Sequence, residues 1–192
     1  MKPSCSAANY SALWKHLLTA LVVGAQMQSM PASAAPPPAI EIQGKIERVV
    51  DGDTAVFLSA TGQRIRLRLA GIDAPEMAMP YGDLAKKMLI QLVGAGDITV
   101  HATKLDRFGR TVAKVFAKDG DVNLALINKG LAWHYKRYAN EQSSEDAKTY
   151  ASHESKARLK EVGLWQDARP VAPWRYRQCR KKLSACNAME AN

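Results

Sequence analysis

Apolar and polar residues alternate without a break from Arg64 to Leu69 (RIRLRL). Successive side chains of an extended strand point to opposite faces, so Ile65, Leu67 and Leu69 share one face and Arg64, Arg66 and Arg68 the other. One face enters a core, and the other presents three guanidinium groups. Two shorter β-type runs precede it, Ile46 to Val50 and Thr54 to Leu58, separated by Asp51-Gly52-Asp53. Asp-Gly between apolar runs is a strong hairpin signal. Thr61-Gly62 turns the chain again. Ile98 to Ala102 gives a fourth strand, and Arg110 to Ala117 a fifth that ends at the Asp119-Gly120 turn.

The pattern changes to a helical period from Asp83 to Val93, where Ala85, Met88, Leu89 and Leu92 form an apolar stripe and Gly94 can stop the helix. Asp121 can cap a short helix carrying Val122, Leu124, Ala125 and Ile127, closed by Gly130. A longer helix is predicted from Ser144 to Val162, with Glu145 and Asp146 in its first turn, where carboxylates suit the helix dipole. Gly163-Leu164-Trp165 ends it and returns an aromatic toward the core. Beyond Pro170 the chain is basic and reads as a loosely ordered tail. Three strands, a helix, two strands and two helices predict an α+β fold, a five-stranded OB-fold β-barrel with three helices.

The formal charge of +9 over 192 residues favours a polyanionic partner, nucleic acid or anionic lipid, without choosing between them. The first 34 residues carry two lysines and no acid, then the apolar run Leu17 to Ala25, then Ala32-Ser33-Ala34. That order reads as a signal peptide, with a run too short to span a bilayer. Export to the periplasm or the medium is the expectation, followed by a Pro-rich spacer at 35–41, a domain at 42–168 and a basic tail at 169–192. Cys5 would leave with the signal. Cys179 and Cys186 remain, an even pair for an oxidising compartment, and a disulfide between them is left open. His101, His134 and His153 are far apart and stand in no metal-binding spacing, which argues against a histidine-based nuclease or a Ser/His/Asp hydrolase.

Three segments carry candidate chemistry: Asp51-Gly52-Asp53-Thr54 at the first hairpin tip, Arg68 to Glu76 (RLAGIDAPE), and Asp106 to Arg110 (DRFGR). Each alone reads as a polar turn. Together they supply Asp53, Asp73, Glu76, Arg68 and Arg110. Two carboxylates can hold a hard cation such as Ca2+. Two arginines can grip phosphate oxygens through paired hydrogen bonds. A third carboxylate can take a proton from water or orient it.

This set, in this order on this strand pattern, resembles the staphylococcal (micrococcal) nuclease family over roughly Ile42 to Trp165. The landmarks are the DGDT turn, Arg66 to Glu76 (RLRLAGIDAPE), Tyr81 to Ala85 (YGDLA), the DRFGR turn and Asn123 to Ala132 (NLALINKGLA). The resemblance implies a calcium-dependent nuclease acting on DNA and RNA as a monomer and leaving 3′-phosphate ends. It implies Asp53, Asp73 and the backbone carbonyl of Ala74 as metal ligands, Glu76 as general base or water-orienting group, and Arg68 and Arg110 on the scissile phosphate. Asp51 would lie just outside the metal's own ligands. The family's nucleotide-stacking tyrosines map loosely onto Trp133, Tyr135 and Tyr138, with Trp133 alternatively part of the core. The segment from Glu76 to Tyr81 is shorter than in the best-known member. The other reading is a nucleic-acid-binding module that keeps the barrel without catalysis.

Overall fold

A computed structural model describes residues 39–182 of the chain. Strands β1 (Ile40–Val49), β2 (Thr54–Ser59) and β3 (Arg64–Leu69) form an antiparallel meander, followed by the two-residue β4 (Ile72–Asp73) and helix α1 (Gly82–Val93). Strands β5 (Ile98–Leu105) and β6 (Thr111–Ala117) come next, then the short β7 (Gly120–Asp121) and helix α2 (Val122–Asn128). The two-residue β8 (Trp133–His134), a 3-10 turn at Lys136–Glu141, helix α3 (Ser144–Leu159), a second 3-10 turn at Gly163–Gln166 and helix α4 (Pro173–Lys181) complete the described chain.

The main sheet runs β3-β2-β1-β5-β6-β7, and β3 also pairs in parallel with β6 through Leu67 with Thr111 and Leu69 with Ala113. That last pairing closes β1, β2, β3, β5 and β6 into the expected five-stranded barrel, which leaves no unpaired edge between its ends. The alternation in β3 sorts as its pattern requires: Leu67 and Leu69 are fully buried, while Arg64 and Arg66 are exposed. Phe57, Leu67, Leu69, Ile98, Val100 and Val115 fill the barrel, and Leu89 of α1 with Leu126 and Ile127 of α2 cover its end. The Asp121 side chain accepts the backbone N–H of Leu124 at 3.0 Å, and the Ser143 hydroxyl accepts that of Asp146 at 3.0 Å, so α2 and α3 both start on side-chain caps.

Three features depart from the sequence pattern. Strand β1 begins at Ile40, inside the stretch read as spacer, because Ile40 to Gly44 pair with Ala102 to Ile98. Helix α3 ends at Leu159, where Glu161 takes a positive φ of 49° and turns the chain away. The tail expected to be loosely ordered contains α4, which starts on Pro173 at its first turn and buries Pro173 and Cys179. Its apolar contacts are long-range: Ala172 and Trp174 pack with Trp133, Ala157, Leu164 and Trp165. The proposed signal segment and Cys186 lie outside the described residues. Among the described residues no helix is long and apolar enough to cross a membrane.

Candidate active site

The β1–β2 turn is built to aim one carboxylate inward. Backbone N–H groups of Val50 and Asp51 donate to the Thr54 carbonyl at 2.8 and 3.3 Å, and the Asp53 N–H donates to Asp51 Oδ1 at 3.0 Å. Gly52 sits where a Cβ would come within 2.7 Å of the Cβ atoms of both Ala74 and Ala85, so only glycine lets the turn lie this close to the Asp73 segment and α1. Asp53 is thereby stitched across: its Oδ2 accepts the Ala74 N–H at 2.8 Å, and its backbone carbonyl accepts the Leu69 N–H at 2.9 Å.

Arg68 holds the opposite side. Its Nη1 donates to the carbonyls of Leu69 (2.7 Å) and Ile72 (2.9 Å), clasping the turn at Gly71, whose φ is 71°. Its Nη2 donates to Asp73 Oδ1 at 2.9 Å and lies 3.1 Å from Asp53 Oδ2. Two carboxylates therefore converge on one nitrogen. All three side chains are sheltered, with exposures of 13% for Arg68, 9% for Asp53 and 1% for Asp73. Burial raises the Asp73 pKa above the ordinary aspartate value and the neighbouring Asp53 charge adds to this, while hydrogen bonding to Arg177 and the Arg68 charge oppose it. Asp51 is raised in the same way, first by burial and then by Asp53.

Arg110 approaches from the β5–β6 turn. Asp106 Oδ1 accepts the N–H groups of Phe108 and Arg110 at 2.9 Å each, and Gly109 adopts a φ of 72°. Asp106 Oδ2 then takes the Arg110 side chain, 2.8 Å from Nε and 2.7 Å from Nη2. This leaves Arg110 Nη1 3.5 Å from Thr54 Oγ1, beside the Asp53 turn. Partial burial would raise the Asp106 pKa, but the hydrogen bonds from Arg110 and Phe108 outweigh it and hold the group below the ordinary value.

Glu76 follows the Pro75 bend, and its Oε1 accepts from Arg177 Nη1 at 2.7 Å. Arg177 comes from α4. Its Nη1 and Nη2 also donate to Asp73 Oδ1 and Oδ2 at 3.2 and 2.7 Å. The sequence reading missed this residue; the weak signal available was Trp174 and Arg177 three apart behind Pro173, hence on one face of a helix.

Asp53, Arg68, Asp73, Ala74, Glu76 and Arg110 all line one groove of about 1250 Å3, together with Tyr135, Tyr138, Trp174 and Arg177. Its walls carry further cations, among them Arg66, Lys104, Arg107, Arg137, Arg180 and Lys181, which suits a polyanion. Tyr135 stacks on Trp174, with centroids 5.3 Å apart and planes 13° apart, and meets the Tyr138 edge at 4.9 Å. Trp133 lies elsewhere. It is 8% exposed, packs edge-on against Trp165 and Trp174, and lines an adjoining cleft of about 240 Å3 that shares Tyr135, Arg137 and Trp174 with the groove, because β8 pairs with β4 and turns the indole toward α3 and α4.

Asp53 and Asp73 offer only oxygen, converge on one point and are buried, and burial first and the mutual repulsion second raise the Asp73 pKa despite Arg68 and Arg177. That chemistry fits calcium better than zinc or copper. Among the described residues no three His, Cys, Asp or Glu side chains are placed to enclose a metal ion, so backbone oxygen and water must complete any shell.

A closed five-stranded barrel thus carries a basic groove that holds paired carboxylates and arginines. Residues 66–167 match the family model described as staphylococcal nuclease homologue. The chain is 36% identical over 138 residues to an Escherichia coli protein named uncharacterized endonuclease, covering 71% of this chain and 86% of that one. It is 33% identical over 153 residues to a Shigella flexneri protein named micrococcal nuclease, covering 75% and 85%. A 38.1 kDa protein of Capnoides sempervirens is 39% identical over 131 residues, of which this chain spans only 36%. The chain belongs to the staphylococcal nuclease family.

Proposed function

We propose that this chain is a calcium-dependent endonuclease that hydrolyses DNA and RNA and leaves 3′-phosphate ends. Nuclease activity as a class follows from the family; the cation, the substrates and the ends are the proposal. The observation that carries it is the meeting of Asp53 and Asp73 on Arg68 Nη2, 3.1 and 2.9 Å away, in the groove that Arg110 also lines.

Arg110 presents its guanidinium to the phosphate from one wall, and Arg68, whose Nη2 now holds Asp53 and Asp73, would turn that nitrogen to the phosphate from the other as the two carboxylates take the cation. Each donates to oxygens whose charge grows as the phosphorus becomes pentacoordinate, so losing either depresses turnover more than affinity. Glu76 accepts a proton from the attacking water or orients it, and the bond to the 5′ oxygen breaks. Held by Asp53, Asp73 and the Ala74 carbonyl, calcium would supply Lewis-acid polarisation of the phosphate. Tyr135 and Tyr138 offer stacking faces worth about 1–3 kcal/mol per base. The first 34 residues would direct export to the periplasm or the medium, and the protein would act as a monomer.

Product ends provide the test. DNA and RNA oligonucleotides cut in calcium should carry 3′-phosphates, so a polymerase extends the DNA fragments only after phosphatase treatment. Fragments that extend at once would refute the assignment of the broken bond.

A further inference from the structure

We infer that Arg177 is an internal counter-cation that competes with the divalent ion for Asp73 while it also holds Glu76. The inference rests on the reading of Asp53 and Asp73 as cation ligands.

Arg177 takes both oxygens of Asp73, at 3.2 and 2.7 Å, and one oxygen of Glu76, at 2.7 Å. Asp73 Oδ1 also accepts from Arg68, so three hydrogen bonds already occupy three of the roughly four lone-pair sites through which that carboxylate could bind a metal. A calcium ion must come within about 2.3–2.6 Å of its oxygen ligands. A guanidinium in the same position repels it, and repulsion between like charges is strong where water is scarce.

Of the two arginines on Asp73, only Arg177 is free to withdraw. Arg68 is 13% exposed and anchored on two backbone carbonyls. Arg177 is 39% exposed, and its hydrogen bonds go to the two carboxylates alone. Helix α4 itself is fixed by buried Pro173 and Cys179 and by Trp174 on Tyr135, so the movement belongs to the Arg177 side chain and not to the helix. While it sits on Asp73 and Glu76 it compensates their charge; when it withdraws, its guanidinium stays in the groove, within reach of a bound phosphate.

Calcium titration calorimetry on chelator-stripped protein tests this, with wild type, Arg177→Gln and Arg177→Lys compared and folding checked by near-UV circular dichroism. Arg177→Gln should bind calcium at least tenfold more tightly. Arg177→Lys, which keeps the charge but lacks the fork that takes both Asp73 oxygens and Glu76 together, should fall between. Equal or weaker binding by Arg177→Gln would overturn the inference while leaving the metal site intact. Absence of calcium binding in all three would overturn the metal reading itself, and the inference with it. Should Arg177→Gln not fold, arginine side-chain NMR of the wild type decides. The Arg177 guanidinium signals should move to solvent-exposed values as calcium is added, and unchanged signals would overturn the competition.

Discussion

Asp106 grips Arg110 at both ends of the same residue, its Oδ1 on the backbone N–H at 2.9 Å and its Oδ2 on Nε at 2.8 Å. The turn thus aims the guanidinium before any substrate arrives, and the fork facing the groove is left for phosphate. Arg110→Ala should stay folded and lose kcat by about 10²–10³-fold, the cost of removing one transition-state donor. Asp106→Asn keeps Arg110 but loosens its aim, and should cost about tenfold in kcat with little change in KM. Steady-state kinetics on a short DNA substrate separates the two, and wild-type kcat in Asp106→Asn would refute the positioning role.

The same clasp has a pH signature. Asp106 titrates below the ordinary value of 3.8 in the folded protein. Its contribution to stability is therefore complete above that value and disappears as the pH falls through the lower, folded value. The melting-temperature gap between wild type and Asp106→Asn should be constant from neutral pH down to about 5 and close progressively below about 4. A gap independent of pH would show that the carboxylate charge is not what stabilises the turn.

Asp73 is 1% exposed and shared by two guanidinium groups. Asp73→Asn leaves both with one anion fewer. It should destabilise the protein by less than the roughly 3–5 kcal/mol of a fully buried pair, because Arg177 is partly solvated and because burial, which raises the Asp73 pKa, already disfavours the charge. Urea denaturation measures this, and an unchanged midpoint would contradict the burial argument.

Asn123 is 0% exposed and ties β6 to the turn after β3: its Oδ1 accepts the Val115 N–H at 3.1 Å, and its Nδ2 donates to the carbonyls of Ala70 (2.9 Å) and Ala113 (3.3 Å). Asn123→Ala strands a buried backbone N–H beside the turn that presents Asp73. A loss of about 3 kcal/mol is expected, with activity per folded molecule retained. Wild-type stability would show that the network is replaceable.

The barrel was legible because its signals are local. Alternation from Arg64 to Leu69 and the Asp51-Gly52-Asp53 turn depend only on neighbours in sequence, and both occur as read. Asp53, Asp73, Glu76, Arg68 and Arg110 could be picked out for the same reason, since each lies in a short, recognisable turn or strand end. What escaped the reading depends on distant contacts. The start of β1 at Ile40 is set by pairing with Ala102, and α4 is held by Trp133 and Trp165. Arg177 reads as one more basic residue in a basic tail until the fold brings it 101 and 104 positions back onto Glu76 and Asp73. Trp133 was ambiguous because an indole next to Tyr135 and Lys136 suits a groove or a core equally; pairing of β8 with β4 decided for packing.

Glu76 is 34% exposed, so its loss need not disturb the core. Glu76→Gln should fold normally and lose about 10²–10⁴-fold in turnover, the usual worth of a positioned proton acceptor. Wild-type turnover in that variant would remove Glu76 from the reaction.

The most direct measurement follows cleavage of a labelled DNA strand by chelator-stripped protein as calcium is added back and then removed with EGTA. Cutting should be absent without calcium, rise with saturable dependence on it, and stop when the chelator is added. Cleavage that continues undiminished in EGTA would contradict the role given to Asp53 and Asp73.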